Sequence, residues 1–346
     1  MPSPASVTSL HFFDEDGTEC GISDATSGLK VAAKRYIDSK QPNPEGLTLL
    51  FAHCIGTHKE HWEPVIEKLY STLNTNSKHP RQRIREAWAF DWQNHGDSAI
   101  ANEEKLESRP EGVSVYEWSA AIRNFVRSSR MRGHRIVPLG HSAGAGTMML
   151  SSLGIPISEM PYTALILIEA TMITREHFYE SFEARMETME FTVNATLKRR
   201  DTWPSRDFAF EWMRKRFPWQ FWDERVVHIT AEHGLKDANT GEVTLKCSRE
   251  QEATLYPDVD PHFEAMDELA RVCTALPVHA VWGENEDIVV EEIRSSLGDA
   301  SKGRKLASIS IVPDCGHWIV QQNPEGLAEA IGKTLESIEP IQRPRL

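Results

Sequence analysis

Short apolar runs recur along the chain, each closing on a polar or small residue. Leu47-Thr-Leu-Leu-Phe-Ala52 ends at His53, Glu86-Ala-Trp-Ala-Phe90 at Asp91, Arg135-Ile-Val-Pro-Leu139 at Gly140, and Tyr162–Ile168 at Glu169. Runs this short and this apolar, with no polar alternation, are expected as strands buried on both faces. Between them, Glu63–Leu73 and Val115–Arg130 carry apolar residues at helical spacing. That alternation predicts a mostly parallel central sheet with helices on both faces. Two further β segments, around Ser6–Phe13 and Leu29–Ile37, precede it, separated by the turn-rich Asp14-Glu-Asp-Gly17 and Asp24–Gly28.

The rhythm stops at about Thr171 and resumes only after Ala270. It then gives a strand at Val278–Trp282, a helix from about Val289, a strand at Leu306–Val312 and a terminal helix from Pro324 to about Ile338. The interval is dense in aromatic and charged residues and is predicted mostly helical, with Pro204 and Pro218 punctuating it. Residues 1–170 and 271–346 thus form one α/β core, and 171–270 is an insertion. A helical insertion between the halves of a sheet is expected as a lid over the sheet's C-terminal edge, its Trp and Phe residues lining an apolar pocket.

Composition narrows the function. With a net charge of −13 the chain lacks the basic face that phosphate backbones require, so nucleic acid is excluded as a partner. No apolar stretch approaches the ~20 residues of a membrane span. Five cysteines, odd in number and irregularly spaced, form neither a CxxC pair nor a disulfide framework, which points to a reducing compartment. The opening Met1-Pro-Ser-Pro-Ala-Ser6 lacks the basic-then-apolar pattern of a secretory signal, so an intracellular location is expected. His53, His58, Glu60 and His61 crowd together but without the HExxH spacing that puts two imidazoles on one helix face, and no metal is expected. Neither GxGxxG nor GxxxxGK[ST] occurs, so no cofactor is expected either.

The candidate chemistry centres on Gly140-His141-Ser142-Ala143-Gly144, a G-x-S-x-G between a predicted strand and a small-residue helix. In that setting the serine sits on a tight turn with its hydroxyl projecting above the sheet. Side chains at Gly140 and Gly144 would crowd the elbow. A nucleophilic serine needs a base, a carboxylate to orient the base, and N–H donors for an oxyanion. His317, in Asp314-Cys-Gly-His317 after the last strand, is the candidate base, with Gly316 allowing the bend that presents it. Two glutamates are the main candidate acids: Glu286, in the loop after the penultimate strand, and Glu169, ending the strand after the nucleophile's helix; Asp287 is a third, one residue off register. A carboxylate at the end of a buried strand needs a partner, whereas Glu286 lies among Glu284, Asp287, Glu291 and Glu292. The residues leave that choice open. Backbone N–H groups of Ala143 and of Ile55, in His53-Cys-Ile-Gly56, are the candidate oxyanion donors. Cys54, with no base or CxxC partner to mark it as a nucleophile, is read as structural, and Asp91–Ser98 as a turn that supports the His53 loop.

Ser142, His317, the His53 loop and Asp91–Ser98, in this order, make the chain resemble the α/β-hydrolase superfamily over nearly its whole length. The stretch His53-Cys-Ile-Gly-Thr-His-Lys-Glu60 with Glu63-Pro64 is similar to fungal hydrolases of the toxin-biosynthesis and peroxisomal type, and Trp203-Pro-Ser-Arg206 to acyl-CoA hydrolases of that group. The resemblance implies an α/β-hydrolase fold and a serine hydrolase acting on an ester or thioester of an apolar acyl group. It also implies that the acid can follow the strand after the nucleophile, at Glu169. Two other readings share the frame: C–C bond hydrolysis or lysis, and a non-catalytic binder. Epoxide or haloalkane hydrolysis would need a carboxylate in place of Ser142. The terminal Pro344-Arg-Leu346 is similar to the Ser-Lys-Leu peroxisomal address, so a cytoplasmic or peroxisomal location is expected.

Overall fold

The apolar runs pair side by side because each can bury both faces and satisfy its backbone groups only inside a sheet. In the computed structural model, which describes residues 6–76 and 79–338, nine strands form one sheet. They are β1 (Ser6–Phe13), β2 (Glu19–Cys20), β3 (Val31–Asp38), β4 (Leu47–Ala52), β5 (Ile84–Phe90), β6 (Arg135–His141), β7 (Leu165–Ile168), β11 (Val278–Gly283) and β12 (Ser308–Val312). The spatial order is β12-β11-β7-β6-β4-β5-β3-β1-β2. Strands β4, β5, β6, β7, β11 and β12 run parallel, while β1, β2 and β3 add an antiparallel edge. After β4 the chain goes first to β5 on one side and then to β6 on the other. Adjacent strands diverging in this way open a crevice at their C-terminal ends, which is where doubly wound sheets bind ligands.

Two apolar clusters cover the faces. On one, helix Val115–Arg127 and helix Ala143–Leu150 pack with Trp88, Phe90 and Trp118. On the other, helix Glu63–Asn76 lies against helix Pro324–Ser337 around Trp62, Leu69 and Leu335. The helix predicted over Val115–Arg130 stops at Arg127, and a 3-10 turn, Ser129–Met131, follows. Its start is fixed by a reciprocal capping box between Ser114 and Glu117.

The interval 171–270 is mostly helical, as expected, with three features the sequence reading did not include. Three short strands, β8 (Thr202–Trp203), β9 (Leu235–Asp237) and β10 (Val243–Leu245), form a small antiparallel sheet. Strands of two or three residues are too short to show any periodicity. The expected boundary at residue 270 falls inside the helix Asp260–Val272, whose Phe263, Met266 and Leu269 belong to the main core. The aromatic residues do not chiefly line a pocket. Trp203, Phe210, Trp219 and Trp222 build a separate core within the insertion, Phe178 joins the main one, and Phe208, Phe217 and Phe221 are exposed. No helix among the described residues is long and apolar enough to cross a membrane. The tripeptide Pro344-Arg-Leu346 lies outside the described residues.

Candidate active site

The turn after β6 is as tight as the glycines imply. Ser142 has φ 56° and ψ −120°, a region that a side-chain-bearing residue enters only under strain of about 1–3 kcal/mol. A Cβ on Gly144 would stand 2.5 Å from the Ala52 carbonyl oxygen and 2.6 Å from that of His53, and one on Gly140 would collide with the backbone of Gly144. The helix that follows Ser142 can therefore approach β4 only with glycine there.

Three side chains from three strand ends meet above this turn. Ser142 is 7% exposed, His317 5% and Glu169 0%, so bulk water does not compete for their hydrogen bonds. His317 Nε2 lies 2.9 Å from Ser142 Oγ, and His317 Nδ1 lies 3.2 Å from Glu169 Oε2. With its proton on Nδ1, the imidazole donates to the carboxylate and accepts from the serine hydroxyl. The other carboxylate oxygen, Oε1, accepts from the Gly283 N–H at 2.7 Å and from Arg294 Nη2 at 3.2 Å. Glu169 shares with Ser142 a left-handed backbone, φ 45°. Glu286 is exposed and bonded elsewhere: its Oε2 accepts from the Glu291 N–H at 3.1 Å.

The histidine loop is held from several sides. Asp287 Oδ1 accepts the His317 N–H at 2.8 Å, and His141 Nε2 donates to the His317 carbonyl at 2.7 Å. Burial pushes the His141 imidazole well below its ordinary pKa, so it is neutral and can make that bond. Gly316 plays a different part from the expected one. The left-handed residue of the loop is Asp314, φ 57°, while a side chain on Gly316 would collide with the Asp287 carboxylate. Asp287, weighed as an acid one residue off register, holds the backbone of the histidine loop rather than its imidazole. His141 and Arg294 were not legible as site residues, Arg294 because it sits in a stretch that reads as a solvated acidic loop and helix.

Ile55 and Ala143 lie at the ends of β4 and β6, on either side of the crevice; Ile55 is half-buried and Ala143 buried. The loop carrying Ile55 is braced by the Asp91–Ser98 turn. The Trp92 N–H donates to His53 Nε2 at 3.1 Å, and the Gly56 N–H to His95 Nε2 at 3.1 Å. Burial raises the Cys54 thiol to about 12, so it is protonated at neutral pH. At pH 8 we expect iodoacetamide to leave Cys54 unmodified in the folded protein; a mapped adduct there before unfolding would contradict this.

The crowded His53–His61 stretch forms a buried polar cluster. Fully buried Lys59 Nζ contacts Asp91 Oδ2 at 2.8 Å, Asp97 Oδ2 at 2.6 Å and Glu60 Oε1 at 2.9 Å. Lys246, from the insertion, reaches the other Asp97 oxygen at 2.6 Å, and His61 Nε2 pairs with Thr230 Oγ1 at 3.0 Å. Removing one member of such a network strands buried charge, so Lys59→Met is expected to cost about 3–5 kcal/mol in urea unfolding. A loss below 1 kcal/mol would show that the cluster is not held as described.

Four imidazoles here are buried in the uncharged form. Burial lowers His53 to about 3 and holds His61, His95 and His141 well below the ordinary value. The unfolded chain therefore binds more protons below about pH 6.5, and stability must fall as pH drops from there toward the folded-state values. Each such histidine adds about 1.4 kcal/mol per pH unit to that slope. Thermal melts should show a clearly lower Tm at pH 5.5 than at pH 7.5; equal values would refute the neutral assignment.

Comparison with known proteins supports the class that fold and site define. Residues 49–330 match the model of the alpha/beta hydrolase family, and the chain belongs to that family. Among curated proteins, the type I acyl-CoA thioesterase mpaH of Penicillium roqueforti is 27% identical over 286 residues, covering 80% of this chain and 57% of the relative. The chain thus spans little more than half the length of the curated relatives it matches. Among solved structures, the peroxisomal alpha-beta-hydrolase Lpx1 of Saccharomyces cerevisiae superposes with a TM-score of 0.74 at 17% identity, over 99% of this chain and 93% of Lpx1. An E-2-(acetamidomethylene)succinate hydrolase gives a TM-score of 0.65 at 17% identity, over 96% of this chain and all of the other. At these identities the superpositions describe the fold alone.

Proposed function

We propose that the protein is a serine hydrolase that cleaves an ester or thioester through a Ser142–His317–Glu169 triad and an acyl-enzyme. The observation that carries this reading is the continuous hydrogen-bonded chain from Ser142 Oγ through His317 to Glu169, ending at a strained elbow. Ser142 Oγ attacks the carbonyl carbon while its proton passes to His317 Nε2. The negative charge that develops on the carbonyl oxygen is met by the N–H groups of Ala143 and Ile55. His317 then protonates the departing alkoxide or thiolate, leaving an acyl ester on Ser142. Water, deprotonated by the same imidazole, hydrolyses that ester and restores the serine. Glu169 holds the ring in the productive tautomer and offsets the imidazolium charge.

An apolar acyl group fits the surroundings, because Ile55 on the donor loop and half-buried Trp318 beside His317 offer apolar surface. Trp318 also packs on Trp222 of the insertion, ring centroids 5.5 Å apart, which gives the insertion a route to act as the lid. An acyl-CoA is the particular thioester we favour, from the relatives named acyl-CoA thioesterases. A cytoplasmic or peroxisomal location is part of the same reading. The test is a panel of p-nitrophenyl esters and acyl-CoAs of graded chain length, with Ser142→Ala as control. Turnover of at least one substrate, lost in the variant, is the expected result. Equal turnover in both proteins, or none across the panel, would refute it.

A further inference from the structure

The triad carboxylate has more charge around it than a Ser-His-acid relay requires. Its Oε1 is occupied by a peptide N–H and by the guanidinium of Arg294, which is 7% exposed at the side chain and sits on the helix Glu291–Leu297. Nη2 of Arg294 reaches the Asn285 carbonyl at 3.3 Å as well, and the guanidinium carbon lies 5.5 Å from the centroid of the Trp282 ring. One donor group therefore ties the acid to the loop after β11, while the opposite oxygen, Oε2, faces His317. We infer that Arg294 is a positioning residue for catalysis: together with the Gly283 N–H it fixes the plane of the Glu169 carboxylate and so aims Oε2 at His317 Nδ1. This rests on the proposed Ser142–His317–Glu169 triad.

The need for such a donor follows from simple physics. A glutamate side chain has one more rotatable bond than an aspartate, so its carboxylate is less constrained by its own backbone and needs outside donors to hold one plane. The other charges facing this pair are differently disposed. Asp314, Glu284, Glu286, Asp287, Glu291 and Glu292 are exposed and screened by solvent. His141 is uncharged, held low by burial, and the Cys315 thiol is raised to about 12 by burial and so is neutral too. Arg185 of the insertion is only partly buried and faces Glu292. Arg294 is the buried cation in contact with the acid.

Arg294→Met removes charge and fork, Arg294→Lys keeps the charge, and Arg294→Gln keeps polarity in case the methionine variant does not fold. The readout is the second-order rate of Ser142 modification by a fluorophosphonate at about pH 8. In that reaction Oγ bonds to phosphorus, fluoride leaves, and the serine proton passes to His317, so the rate reports how well the imidazole is held. The uncharged variants should lose roughly tenfold or more in rate. The lysine variant, which can still donate to Oε1, should recover part of that loss. A wild-type rate in folded Arg294→Met and Arg294→Gln, or no recovery in folded Arg294→Lys, overturns the inference, whether the melting temperature falls or not. A Glu169→Gln protein labelled as fast as wild type would instead overturn the triad itself, so the two failures are separable.

Discussion

Ser142→Ala and His317→Ala should each abolish turnover, by about a million-fold, and the double variant should be no worse than either alone. Nucleophile and base act as one unit: without the imidazole the hydroxyl keeps its proton, and without the hydroxyl the imidazole has nothing to activate. The 2.9 Å contact between His317 Nε2 and Ser142 Oγ is the structural basis for that coupling. Folding should survive both changes. Alanine at 142 loses no packing partner of any size, and the histidine loop retains its backbone bonds to Asp287 and His141. Rates from a stopped assay on the best substrate of the panel, with circular dichroism to verify folding, decide it. Losses that multiply in the double variant would mean that the two residues act independently and that no relay exists.

Glu169→Gln should lower kcat by about 10⁴-fold, by analogy with replacing a triad aspartate by its amide, while Glu286→Gln should stay within a fewfold of the parent. The amide can present its NH₂ to His317 Nδ1 and stabilise the wrong tautomer, and it carries no charge to offset an imidazolium. Its effect is enlarged by the setting, because Oε1 is already committed to Gly283 and Arg294. The same burial makes the substitution disruptive on another count: Arg294 would face a neutral amide. A melting curve is therefore recorded alongside the rate. Glu286 lies outside the relay and is exposed, so the inverse pattern, with Glu286→Gln inactive and Glu169→Gln active, would reassign the acid.

The sheet was legible because its strands are buried on both faces, and burial leaves a compositional mark that needs no partner to be seen. Leu47–Ala52 appears with the predicted bounds; Arg135–His141 and Val278–Gly283 run on past the predicted ends at Leu139 and Trp282. The short strands at Thr202, Leu235 and Val243 leave no such mark, although the Asn239-Thr240-Gly241 turn between the latter two, with Gly241 at φ 82°, was a local cue. The aromatic insertion shows the limit of reading composition as function. Trp and Phe in abundance indicate apolar burial, but not whether what they cover is a ligand or one another. At the site, position along the chain located Ser142 and His317, since each follows a strand and precedes a helix. It could not choose between two glutamates, because the choice depends on which carboxylate the folded loops aim at one imidazole. A buried strand-end carboxylate needs a partner, and Glu169 has more of them than that need alone suggests. Arg294 is one of them as well as His317, and an arginine on an acidic surface helix gives no sign of pointing inward.

The relay is tested most directly by mapping where a fluorophosphonate probe attaches to the native protein. Intact-mass and peptide mass spectrometry should show a single adduct, on Ser142, absent after heat unfolding and in Ser142→Ala, and formed far more slowly in His317→Ala. An unmodified native protein, or an adduct on another residue that persists in Ser142→Ala, would contradict the assignment of a serine hydrolase.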